Sequence, residues 1–220
     1  NLITPALFEA YPTLEAMADG ELILHPERSI DSYIPDAHEL LRSLLEKADD
    51  ASVTLIAVGP LTNIARLLES DGGVELVAKK VSHIYIMSGD FRESKGNTAE
   101  WNILQDMESS AVVYSECPVP LTVSGSEVGS GIRYPASSIL NDFGDPMKHP
   151  LCISYSNFLR MPYDRPAWDL VTVLKAVEPS YALFGSSPKG WVIMDEDGFT
   201  SFREDTDGLH DYMTVHPDDR

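Results

Sequence analysis

The stretch Val53–Ser70, "VTLIAVGPLTNIARLLES", sets the reading of everything around it. "VTLIAV" is a short β-branched and apolar run that stops at Gly59-Pro60, and "LTNIARLLES" then carries apolar residues at helical spacing. This predicts a strand, a tight turn and a helix. Further on, "HIYIMSG" (His83–Gly89) reads as a second buried strand. It is followed by a loop carrying "GNTAEWNILQD" (Gly96–Asp106), a helix from Asp106 through Glu116, and a third strand, "VPLTVSG" (Val119–Gly125). Strands that are apolar on both faces and alternate with helices imply an α/β fold with a mostly parallel, Rossmann-like sheet flanked by helices on both faces. Such sheets take their ligands at the carboxyl ends of the strands.

Late in the chain, "LCISYSNFLRM" and "PAWDLVTVLKAV" predict two helices, the second opened by Pro166. "GWVIMDEDGFTSF" predicts a small C-terminal hairpin turning at "DEDG". "DTDG" (Asp205–Gly208) is read as a plain turn, because the "LHDYM" after it lacks the oxygen ladder of a calcium loop. No repeat or low-complexity tract divides the chain, and 220 residues suit a single α/β domain, 1–220.

With 16 basic against 35 acidic residues, the formal net charge of -19 repels phosphate backbones and anionic headgroups, so neither nucleic acid nor a membrane surface is an expected partner. Cys117 and Cys152 lack metal-ligand spacing and are expected to be buried apolar residues. No window reaches transmembrane length.

"GNTAEWNILQD" places two amides and a carboxylate at the end of the second strand, where "GPLTNIA" from the first strand should meet it in one cleft. Asn97 and Asn102 both donate and accept, whereas an ionised Glu100 only accepts. That set suits a polyhydroxylated ligand such as a ribose. The same spacing also fits a purely structural role, with Asn97 in a turn and Glu100 capping the next helix.

"VTLIAVGPLTNIA", "IMSGD…GNTAEWNILQDMESSA" and "RPAWDLVTVLKAV", in that order, resemble the nucleoside hydrolases, the inosine-uridine preferring nucleoside N-ribohydrolase family, from about Val53 onward. The resemblance implies calcium-dependent hydrolysis of the N-glycosidic bond of a ribonucleoside. It makes the Thr62 main-chain carbonyl and the Asp169 carboxylate calcium ligands, and Met87, Asn97, Glu100 and Asn102 ribose contacts. Oxocarbenium-like character at the ribosyl carbon would be stabilised by such carboxylate and amide groups, and an ion-bound water is acidified for attack.

The chain departs from the family pattern twice. The family's Asp-x-Asp-x-x-x-Asp-Asp cluster, which supplies most calcium ligands and the base, is absent, and the first fifty residues align past that motif. We therefore expect an N-terminally truncated fragment, with no catalytic residue of its own identified. The alternative is a non-catalytic relative that retains a ribose-binding cleft. Trp168 stands where many members carry a histidine acid, and it resembles a purine-preferring branch in which the ring stacks on the base. The alternative is a core position at a helix start. The resemblance further implies a homo-oligomer, and the compartment is expected to be cytoplasmic, with export left open.

Overall fold

The computed structural model describes residues 36–94, 96–144 and 149–215. The stretch Val53–Ser70 forms strand β1 (Val53–Ala57), a turn and helix α2 (Thr62–Glu69), preceded by α1 (Ala37–Lys47). Helix α3 (Gly73–Lys80) leads into β2 (Val81–Met87); α4 (Trp101–Gln105) and α5 (Met107–Glu116) then lead into β3 (Leu121–Ser124). The three strands pair parallel in the order β1-β2-β3. Residues 1–35, most of the first fifty on which the expected truncation rests, lie outside the described residues.

Beyond β3 come α6 (Ser126–Gly131), β4 (Arg133–Tyr134), α7 (Ala136–Asn141), α8 (Pro150–Phe158), β5 (Arg165–Pro166) and α9 (Trp168–Val177). Strands β6 (Phe184–Ser186), β7 (Gly190–Met194), β8 (Thr200–Glu204) and β9 (His210–Val215) complete the order. Pro166 lies on β5, so α9 opens on Trp168 rather than on the proline.

The hairpin β7–β8 is present, but it extends the main sheet instead of standing beside it. β9 runs parallel to β3 and antiparallel to β7, giving the order β1-β2-β3-β9-β7-β8, with β6 on β9. The fold is therefore mixed α/β with a mostly parallel central sheet. The turn at Asp205 forms as expected: its carboxylate accepts the Asp207 N–H and its carbonyl the Gly208 N–H.

β3 and the second half of β2 (Ile84–Met87) are buried on both faces, with Thr122 and Ser124 forming a polar face of β3, but β1 alternates, with Ile56 exposed; among the described residues it is the last strand on its side of the sheet. The main core joins Leu61, Leu67, Ile84, Ile86, Ile103, Val113 and Leu121 between α2, α5 and the sheet. Each such side chain contributes about 1.5–3 kcal/mol on burial. A second cluster gathers Val128, Ala167, Val171, Phe184 and Met213 under α9. Both cysteines are free and buried.

Among the described residues the chain forms two compact units, Arg133–Arg165 and the remainder. In the smaller one, Asp164 accepts the Ala136 N–H at the start of α7, the Cys152 thiol donates to the Ile139 carbonyl, and Arg165 lies over the Phe158 ring. The carboxyl ends of β1, β2, β3 and β9, where ligands are expected, all belong to the larger unit.

Candidate functional site

β2 ends at Met87, and the chain turns through Ser88 and Gly89, whose positive φ of 75° suits a residue without a side chain. A Cβ there would also meet Thr200 Oγ1 at 2.8 Å. Thr200 fixes the turn by accepting the Asp90 N–H and donating to the Asp90 carbonyl.

Against this turn stands α4. Glu100 is its N-cap: Oε1 accepts the Asn102 N–H (2.9 Å), and Oε2 accepts those of Ile103 and Gly89 (3.3 Å each). Asn102, buried one turn in, donates its side-chain amide to the Met87 carbonyl (3.0 Å) and reaches the Met87 sulfur (3.2 Å). Burial pushes the Glu100 carboxyl up, its three backbone donors pull it down, and the charge of Asp169 pushes it up again. Asp169, in the first turn of α9, therefore lies within electrostatic reach of Glu100.

Met87, Glu100 and Asn102 are thus drawn together from β2 and α4, within electrostatic reach of Asp169 on α9. Glu100 and Asn102 do not share one side of an extended segment, as their two-residue spacing suggests, because Glu100 starts a helix and the pair interact across its first turn. Asn97 is exposed in the preceding loop, and Trp101 is 69% exposed.

Thr62 opens α2, and its hydroxyl donates to Asp106, the N-cap of α5. Against the upward push of burial, hydrogen bonds from Thr62 and Ser109 hold Asp106 below the usual carboxylate range. The Trp168 indole N–H reaches the Ser126 carbonyl and the Ser130 hydroxyl, both at 3.1 Å, while Gly129 presses on the Trp168 backbone so closely that a Cβ would lie 2.3 Å from its Cα. The ring is therefore held by α6.

Sequence reasoning passed over two carboxylates. Asp106 was legible as a cap, being an aspartate just before an apolar helical run. Glu127 is the other. It lines a cleft of about 500 Å³ with Phe91, Arg92, Ser130 and Tyr212.

A family model described as inosine-uridine preferring nucleoside hydrolase matches residues 15–211. The chain belongs to the nucleoside hydrolase family. It is 32% identical over 161 residues to a pyrimidine-specific ribonucleoside hydrolase of Shewanella sp. (strain MR-4), covering 67% of this chain and 49% of that protein. The chain spans about half the length of the curated relatives it matches. Its fold is similar to that of the inosine-uridine preferring nucleoside hydrolase from Bacillus anthracis (TM-score 0.61, 23% identity, 84% of this chain and 63% of that one). It is also similar to that of the effector protein XOO4466 (TM-score 0.60, 16% identity, 82% and 61%).

Calcium, the metal that the resemblance implies, takes about six to eight oxygen ligands. Among the described residues no group of three or more His, Cys, Asp or Glu could hold a metal ion, and the Thr62 hydroxyl is engaged by Asp106. The Thr62 carbonyl and Asp169 are too few to fit the ion alone.

Proposed function

We propose that this chain forms the ribose-holding part of a ribonucleoside N-ribohydrolase, which splits the N-glycosidic bond with water to give ribose and a free base. The arrangement of Met87, Glu100 and Asn102 beside Asp169 carries this reading. An acceptor-rich carboxylate next to a buried amide suits vicinal hydroxyls, and negative charge there would stabilise an oxocarbenium-like ribosyl centre. Asn97, exposed in the loop before α4, would add a contact from the rim. Calcium, bound through the Thr62 carbonyl, Asp169 and further oxygens beyond those two, belongs to the same reading, as does association of copies into an oligomer.

Purine preference rests on Trp168, whose ring is locked by Ser126 and Ser130 and would stack best on the larger base. The curated relatives are named pyrimidine-specific, which favours a second reading for the base. Hydrolysis of inosine, guanosine, adenosine and uridine by the full-length protein, with and without a chelator, tests both. Loss of inosine turnover in Trp168→Ala with uridine turnover retained supports the purine reading, and an equal loss removes it. Ribose binding without turnover of any nucleoside would mark a non-catalytic relative.

A further inference from the structure

Both segments that hold Glu100 rest on one hairpin. The backbone donors to its carboxylate are the N–H groups of Asn102 and Ile103 on α4 and of Gly89 at the end of β2. Gly198, in the turn between β7 and β8 at a φ of 84°, sits where a Cβ would lie 3.1 Å from Ile103 Cγ2 and 3.2 Å from the Cβ of Ala99, the residue before Glu100. Two residues on, Thr200 opens β8 and is 1% exposed. It packs against the turn that carries Gly89.

Thr200 grips that turn in two ways. Its hydroxyl closes on Asp90 in both directions, accepting the N–H at 2.9 Å and donating to the carbonyl at 3.0 Å. The same side chain lies against Gly89, where a Cβ would meet Oγ1 at 2.8 Å and Cγ2 at 3.2 Å. On its other flank Gly89 is tied by its own carbonyl, which accepts the Ser126 N–H at 2.8 Å. A peptide held on both flanks has a fixed N–H direction, and this N–H meets Oε2 of Glu100 at 3.3 Å. The two-way bond to Asp90 needs a group that both donates and accepts, which a hydroxyl is. Among the described residues β8 ends the sheet on the side away from β1, so the turn is tied to the far edge and not to a neighbouring strand.

We propose that Thr200 is a positioning residue for Glu100, setting through the Gly89–Asp90 turn where the ribose-side carboxylate stands. The proposal deepens the ribose-holding reading above and rests on it. Thr200 acts through the turn, and the hairpin tip at Gly198 backs the opposite flank of the carboxylate by packing on Ala99 and Ile103. Misplacing a positioning contact by about 1 Å can cost on the order of a hundredfold in rate, so a side chain that fixes this turn acts on the site from outside it. Valine would keep the shape of Thr200 and lose both bonds to Asp90, whereas serine would keep the hydroxyl and lose one methyl group.

NMR of the 220-residue chain titrated with ribose tests the proposal. Thr200→Val should move the Gly89 amide proton upfield as its bond to Glu100 lengthens, and should weaken ribose roughly tenfold, as loss of one hydrogen bond to a charged group does. Thr200→Ser should keep the Gly89 signal and the ribose affinity of the parent. Val192→Ala, a truncation in the main core on the same hairpin, should lower stability and move neither readout. A Gly89 amide proton that stays in place in Thr200→Val would overturn the proposal. So would a Val192→Ala chain that loses ribose to the same extent, because Thr200 would then contribute only to the stability of the hairpin. The two readings fail separately: a parent chain that binds no ribose sinks the ribose assignment, and the Gly89 signal still decides whether Thr200 places Glu100.

Discussion

Asn102 donates one side-chain amide group to both the main-chain oxygen and the sulfur of Met87, which ties the first turn of α4 to the end of β2. Removing the amide leaves the Met87 carbonyl short of a donor in a buried place. Asn102→Ala should cost about 1–3 kcal/mol in urea unfolding. A variant as stable as the parent would show that the bond contributes only position.

The Thr62 side chain and main chain have separable duties. Thr62→Val keeps the carbonyl proposed for calcium and deletes the hydroxyl that serves Asp106. We expect a loss of about 0.5–1.5 kcal/mol in stability, with the proposed calcium requirement unchanged. A shift in the calcium requirement would mean that the hydroxyl, and not the carbonyl alone, shapes the metal site.

Gly129 has no room for a methyl group against Trp168. Gly129→Ala should force the first turn of α9 away from α6, lower the thermal midpoint and red-shift the tryptophan emission as the indole loses Ser126 and Ser130. Overpacking of this kind typically costs about 1–3 kcal/mol. Unchanged emission would indicate that α6 moves and the ring does not.

His210 is buried, takes the Val192 N–H on Nδ1 and stacks edge-on with Trp191; burial holds it down at about 4. Its neutral form is the native one, so its contribution is complete above the ordinary 6.5 and is lost as pH falls from there toward 4. Unfolding free energy should drop by about 3 kcal/mol over that interval. His210→Gln should flatten this part of the pH profile, and a profile that keeps its slope would assign the acid sensitivity elsewhere.

The strand, turn and helix of Val53–Ser70 were legible because the apolar period changes from continuous to helical at a Gly-Pro step. β2, β3, α5 and the β7–β8 hairpin followed from the same local signals. β9 was not legible: "HDYMTV" opens on two polar residues, and its place between β3 and β7 is set by pairing partners far away in sequence. At the site, Glu100 proved to be a cap, the structural role weighed for it, and it holds that place next to Asn102 and the end of β2, where the proposed ribose contact would also need it. Glu127 was missed because nothing local in "SGSEVG" shows that its carboxyl turns back under a loop more than thirty residues earlier.

The position of β9 also bears on the order of events during synthesis. The strand that joins the parallel half of the sheet to the hairpin half leaves the ribosome after both. Until residues 210–215 emerge, β3 and β7 each present an open hydrogen-bonding edge, and the two halves have no shared ladder. Closure of the sheet is then a late, long-range step of the slow kind, and the nascent chain meets its greatest exposure to chaperones and to edge-to-edge aggregation in the moments before its last described strand arrives.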